Sequence, residues 1–352
     1  MALRALLLLL ACLPAIAAAQ TASEPFDWHL PRGFPQPFVP ADNPMSGAKV
    51  ALGKRLFFET RLSLTGRYSC ASCHDPARSY TDARARAVGA TGASMDHSAM
   101  ALINVAYNLA YGWQQPKVTT LEAQMRQPLF NQHPVEIGLT GREAQVVAAL
   151  TADPVYAQQF AAVFGDGITV PQVIQAIAAY ERTLIVGHSP FDAYVFEGDH
   201  GALSAAAKAG MALFFSQRVG CAGCHSGFNF AGNWRDVQGA TGKASFADDG
   251  LGVGPVRVPT LRNIALTAPY MHDGRFADLD AVLDHYQRVG RMPDSAHGGQ
   301  RDPRLRRFTL TAAERDELKA FLGSLTNSGV GRGDRQIARS QDMPRRLRKR
   351  TG

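Results

Sequence analysis

At 352 residues, with 46% apolar and 19% charged side chains, the chain has a globular composition and is long enough for two domains, each with its own core. Its net charge of +7 is no mark of a nucleic-acid binder, because the basic residues crowd into the tail between Arg332 and Arg350. With no nucleic-acid signature, the informative features are local ones.

The chain opens with Arg4, an apolar run from Ala5 to Ala18 and the small-residue stretch Ala17-Ala18-Ala19, the three-part pattern of a signal peptide over residues 1–19. Export, to the periplasm of a bacterium, is the expectation. No later run approaches the roughly 20 apolar residues that a spanning helix needs, so the mature chain is expected not to cross a membrane. Residues 20–45 carry Pro25, Pro31, Pro35, Pro37, Pro40 and Pro44, which remove backbone donors and disfavour helix, so this segment reads as extended chain over the surface.

Helical sequence follows. Lys49 to Phe58 and Ala207 to Phe215 share Gly-x-x-Leu-Phe-Phe (Gly53, Leu56, Phe57, Phe58; Gly210, Leu213, Phe214, Phe215), an internal repeat. Each copy precedes a Cys-x-x-Cys-His motif: Cys70, Cys73 and His74, then Cys221, Cys224 and His225. Cys12 leaves with the signal peptide, so every remaining cysteine belongs to one of these motifs and none is left for a disulfide. Zinc is the competing reading of paired cysteines, but zinc pairs lie closer together and need no histidine directly after the second cysteine. The motifs therefore read as two haem c sites, each cysteine pair forming thioethers and each histidine supplying an axial ligand.

Between the motifs, Glu143 to Leu150 and Pro171 to Leu184 read as amphipathic helices, the second with Pro171 in its first turn, where a missing N–H costs nothing. Thr311 and Glu314 form a capping box ahead of Leu318, Phe321, Leu322 and Leu325 at helical spacing. No run of alternating strands occurs. The expected fold is all-α, two cytochrome c-like domains each with one covalently bound haem c: residues 46–190 and 191–329, a boundary near Gly187 to Gly201, and a basic disordered tail at 330–352 suited to docking.

The run Val258 to Gly274, with Pro259-Thr-Leu-Arg-Asn263 and Tyr270-Met-His-Asp-Gly274, resembles the second-domain signature of the bacterial di-haem cytochrome c peroxidase and MauG family. The resemblance covers nearly the whole mature chain. Phe34 to Met45 and Pro128 to Gly138 are most similar to the MbnH-like branch. It implies that the N-terminal haem meets peroxide, with Glu136 as acid/base and Gln124 orienting the oxygen atoms, and that Trp113 lies between the haems and carries electrons. Heterolysis of peroxide needs a group that takes a proton from one oxygen and returns it to the other, which suits a carboxylate in a haem pocket.

Where peroxidases of the family place a methionine ligand, fourteen residues beyond His272, this chain has Tyr286; MauG-like enzymes use tyrosine. Leu279, Val282, Leu283 and Tyr286 share one helical face, although a buried tyrosine bonded to a carbonyl would follow the same pattern. A phenolate stabilises ferric iron where a thioether favours ferrous iron. Met271, His272 and Met292 are competing axial candidates, His97 a candidate for the peroxide pocket, and His133 and His285 read as structural or surface residues. The resemblance also implies calcium on the backbone carbonyls of Thr267 and Pro269, with Ser98 standing where the family has asparagine. Trp28 and Trp234 match no role.

Two functions follow from the resemblance. One is a periplasmic enzyme that uses hydrogen peroxide to form a high-valent di-haem state and oxidises an aromatic residue of a small exported partner protein. The alternative is a cytochrome c peroxidase that reduces peroxide to water with electrons from a small cytochrome c or cupredoxin. A plain electron carrier would have no need of Glu136 and Gln124.

Overall fold

The computed structural model describes residues 26–113, 115, 117–165, 167–232, 257–292, 302 and 304–327. The signal peptide assigned to 1–19, Trp234 and the basic tail assigned to 330–352 lie outside the described residues, as do residues 20–25 and 328–329. Among the described residues the regular structure is helical, with four isolated bridges and no strand. No helix among them is long and apolar enough to cross a membrane.

Nine α-helices are described: α1 Gly47–Phe57, α2 Leu121–Phe130, α3 Glu143–Thr151, α4 Pro154–Phe164, α5 Val170–Arg182, α6 Pro190–Phe196, α7 Ala205–Phe215, α8 Leu279–Arg291 and α9 Ala312–Ser324. Side-chain caps fix the starts of all of these but α3, which Arg142 precedes without a capping bond. The Thr311 hydroxyl accepts from Glu314 N–H while the Glu314 carboxylate accepts from Thr311 N–H, the expected capping box at α9. Thr169 and Gln172 cap α5 in the same way, with Pro171 in its first turn.

Two apolar cores form. One gathers Leu52, Leu56, Phe57, Phe160, Ile177 and their neighbours from α1 to α5; the other gathers Phe191, Phe214, Leu318 and Phe321 from α6, α7 and α9, with Phe230 from the loop after the second Cys-x-x-Cys-His motif. The repeated Gly-x-x-Leu-Phe-Phe now has a cause. A Cβ on Gly53 would lie 1.8 Å from the Ala176 carbonyl oxygen of α5, and one on Gly210 would lie 1.9 Å from the Glu317 carbonyl oxygen of α9. Each glycine lets two helices cross backbone to backbone, α1 on α5 and α7 on α9. Leu56 and Phe57 of the first copy and Phe214 of the second then enter their cores.

The stretch expected as a domain boundary, Gly187 to Gly201, is not a bare linker, since it contains α6. Asp192 on that helix is 2% exposed and grips Arg262, 1% exposed, through two 2.8 Å hydrogen bonds. Arg262 also stacks 4.6 Å from the ring centroid of Phe34, so the proline-rich segment is clamped over the junction. Farther along that segment, Asn43 donates to Glu122 at 2.6 Å, and Nη2 of buried Arg182 donates to both Glu122 carboxylate oxygens.

Candidate functional site

Both Cys-x-x-Cys-His motifs fold into the same short turn. His74 N–H donates to the Cys70 carbonyl at 3.0 Å, and His225 N–H to the Cys221 carbonyl at 2.9 Å, which puts both cysteines and the histidine on one wall. Nδ1 of His74 lies 2.9 Å from the Tyr80 carbonyl, and Nδ1 of His225 lies 3.1 Å from the Phe230 carbonyl. A carbonyl only accepts, so Nδ1 carries the proton and Nε2 keeps its lone pair for a metal. Burial holds both imidazoles below the usual histidine range, opposed by those carbonyls, so the neutral ligand form prevails.

In front of His225 opens a cleft walled by Leu261, Ile264, Leu279, Val282, Leu283 and Leu318, with Cys221 and Cys224 at its edge. Apolar walls, two thiols and an imidazole fit a covalently held haem. Tyr286, half-buried on α8, lines this same cleft, as does Met271. The other axial candidates lie elsewhere: His272 packs its ring on His97 at 5.4 Å between centroids, and Met292 caps the end of α8 with its sulfur 3.4 Å from Arg288 Nη1. His285 is buried behind Phe276, 5.0 Å between centroids, while His133 is exposed.

On the N-terminal side, Glu136 is half-buried on the loop after α2. Its carbonyl accepts from Ala90 N–H at 2.6 Å, and Gly89 lets the loop approach, since a Cβ there would lie 2.0 Å from the Val135 oxygen. Burial raises the Glu136 carboxyl above its ordinary value. Burial, then Asp82 and Glu136, raise the Cys73 thiol, so Glu136 lies within electrostatic reach of the first haem motif. Gln124 is half-buried on α2, and its side chain makes no described contact with Glu136.

The seam between the halves carries a second repeat that sequence reading missed: Asn104-Val-Ala and Asn263-Ile-Ala. Both asparagines are fully buried in the left-handed conformation, at φ 57° and 55°. Asn104 N–H donates to the Leu184 carbonyl and Asn263 N–H to the Leu325 carbonyl. Each side chain then crosses the seam, Asn104 to Asn229 and Asn263 to Ser79, both at 3.0 Å. Seven residues after each asparagine, Tyr111 and Tyr270 hydrogen bond back to the carbonyls of Val105 and Ile264. Two residues further stand Trp113 and His272, whose rings meet edge-on at 6.3 Å. The shared spacing from asparagine to tyrosine was the available signal.

Trp113 lines the cleft before His225, and its buried Nε1 has no hydrogen-bond partner among the described residues. Thus Trp113, Tyr286 and His225 come together at one cavity, whereas Glu136 and Gln124 belong to the other half. Ser98 donates to the Met271 and His272 carbonyls, both at 3.2 Å. The donor set for calcium is therefore short: calcium takes six to eight oxygens, and Ser98 offers no amide oxygen here.

Two pseudo-equivalent helical halves, each with a Cys-x-x-Cys-His turn, define a di-haem c-type protein. The family model described as di-haem cytochrome c peroxidase matches residues 47–201. The methylamine utilization protein MauG of Methylorubrum extorquens is 36% identical over 81% of this chain and 80% of its own length. The cytochrome-c peroxidase IdrP1 of Denitromonas iodatirespirans is 34% identical over 90% of each chain. Among solved structures, a MauG-like protein associated with microbial copper homeostasis superposes with a TM-score of 0.77 and 34% identity, covering 87% of this chain and 97% of that one. The chain belongs to the di-haem cytochrome c peroxidase and MauG family, whose members are haem-dependent oxidoreductases acting with peroxide and carry two haems.

Proposed function

We propose that the chain is an exported, periplasmic enzyme of the MauG-like kind, which takes two oxidising equivalents from hydrogen peroxide and withdraws two electrons from an aromatic residue of a small exported partner protein. The observation that carries this reading is Tyr286 in the cleft before His225. A phenolate ligand favours ferric iron and makes a poor relay for electrons from an ordinary donor. The reading divides the chain at about residue 190, with peroxide met in residues 46–190 and the tyrosine-ligated haem in residues 191–329.

The haems, when bound, supply the redox chemistry with peroxide. Glu136 would take a proton from one oxygen of hydrogen peroxide and return it to the other, a task for which its raised proton affinity suits it. Gln124 orients the oxygen atoms from α2. Trp113 offers its ring between the halves as a path for electrons. The reading needs no calcium at Thr267 and Pro269.

Adding peroxide to the fully ferric protein tests it: peroxide should be consumed without prior reduction, and a small exported partner protein should gain an oxidised aromatic residue by mass spectrometry. Tyr286→Met should raise the potential of the C-terminal haem and move turnover toward dependence on an electron donor. If the wild-type protein consumes peroxide only after a small cytochrome or cupredoxin has reduced one haem, the cytochrome c peroxidase reading replaces this one.

A further inference from the structure

Three guanidinium groups edge the apolar cleft before His225: Arg257, Arg304 and Arg306. Two are accounted for. Arg304 is neutralised by Asp302, with Nε 2.9 Å from Oδ1, and Arg306 is exposed to solvent. Arg257 differs from both. Among the described residues its buried Nε has no hydrogen-bond partner and its Nη2 meets only the Met100 sulfur, at 2.7 Å. A thioether is a weak acceptor and carries no charge. Burial pulls the Arg257 pKa down to about 10, with Tyr111 the one opposing influence.

A buried guanidinium without a counter-ion costs several kcal/mol, so the site calls for an anion. The group this cleft receives is apolar except for its two propionates. A second donor lines the same cleft: Trp113 Nε1 is also buried and unpartnered among the described residues, and the two residues are joined by their backbones, Arg257 N–H donating to the Trp113 carbonyl at 2.9 Å. The repeat shows that this cation belongs to one half alone. At the equivalent position of the N-terminal half, six residues before Asn104 rather than Asn263, Ser98 N–H donates to the His272 carbonyl at 2.7 Å. Ser98 has a hydroxyl, already bonded to carbonyls, where Arg257 has a charge.

We propose that Arg257 clamps a propionate of the C-terminal haem at the seam, with Trp113 Nε1 as second donor, and that its charge makes this haem easier to reduce. Bidentate guanidinium contacts to carboxylates are among the stronger charge-assisted hydrogen bonds. Arg257 is a positioning residue for the haem. The proposal rests on thioether attachment at Cys221 and Cys224 and is independent of the ligand role of Tyr286.

The test is a spectroelectrochemical titration of the full-length holoprotein, with resonance Raman spectra of the propionate bending bands and a pyridine haemochrome count. In Arg257→Gln, with two haems bound, the ferric-to-ferrous ratio of the C-terminal haem at the wild-type midpoint should rise about ten-fold, equivalent to about 59 mV for one electron. Its propionate band should shift, while the N-terminal haem and the Arg306→Gln protein stay as in the wild type. An unchanged midpoint and band in Arg257→Gln would overturn the proposal, and so would a shift found in Arg306→Gln instead. Should Arg257→Gln fail to mature, Arg257→Lys decides: a near-wild-type midpoint with a displaced propionate band supports the clamp, and a wild-type band refutes it. A haem count of one in the wild type would strike the di-haem reading itself, not the clamp.

Discussion

The two halves share one framework and differ in what fills it. Phe57 of α1 stacks on Tyr80 and Tyr180, whose hydroxyls bond each other at 2.9 Å; Phe214 of α7 stacks on Phe230 and Phe321, which have no hydroxyls to bond. One residue beyond Tyr180 stands Glu181, while Leu322 follows Phe321. Glu181 is buried, its Oε2 has no hydrogen-bond partner among the described residues, and burial raises its pKa to about 8. Burial, then the Glu181 charge, pushes the Cys70 thiol up to about 12, which puts the carboxyl beside the first haem motif. With Glu136 on its loop, the N-terminal half carries two proton-active carboxyls where the C-terminal half offers a phenol and apolar walls. Under the proposed function this difference would separate proton handling from storage of an oxidising equivalent: heterolysing peroxide moves protons, and holding an oxidising equivalent does not.

The largest effect should come from Glu136→Gln. With both haems attached, peroxide consumption in stopped-flow should slow by roughly 100-fold to 10,000-fold, the worth of a positioned acid/base. The wild-type rate should rise with pH through the raised pKa of Glu136, as the base form appears, and the variant should lose that limb. An unchanged rate would remove the main distinction between the halves.

Next is Glu181→Leu, which copies Leu322 into the first half. Glu181 titrates near 4.5 when unfolded and about 8 when folded, so between those values the folded state holds an extra proton and stability falls as pH rises. The variant should be the more stable protein above pH 8, by an amount on the order of several kcal/mol, and the gain should vanish below the unfolded value. The charged and titratable groups that interact with Glu181 are Glu122 from α2, Arg182 beside it on α5, Tyr111 and Cys70. Denaturant unfolding of the holoprotein across that range checks the slope, and parallel curves for the two proteins would contradict it.

Smallest is Tyr80→Phe, which removes one hydroxyl of the Tyr80–Tyr180 pair. It should cost about 0.5–1.5 kcal/mol in the same unfolding assay, the net worth of one hydrogen bond. The double change with Tyr180→Phe, which gives this half the ring pair of its counterpart, should recover part of the loss, because two apolar partners leave no hydroxyl unsatisfied.

Much of this was legible in the sequence because it depends on neighbours along the chain. Cys70, Cys73 and His74 form one turn, as do Cys221, Cys224 and His225, so each motif fixes its own geometry. Thr311 caps a helix through a residue three positions away, and Leu279, Val282, Leu283 and Tyr286 share a face because helical spacing puts them there. What only the tertiary structure decided depends on residues far apart. The repeat marks Gly53 and Gly210 in the sequence, but the crossings that require them, of α5 over α1 and of α9 over α7, appear only in the fold. Arg262 is a family-signature residue whose partner, Asp192, lies 70 positions away on a helix at the expected domain boundary. Asn104 and Asn263 each cross to the other half through a side chain, reaching Asn229 and Ser79, residues 125 and 184 positions away. Arg257 looks like any basic residue in the sequence; it becomes informative only because folding buries its guanidinium at the edge of an apolar cleft, where an uncompensated charge is too costly to stand alone.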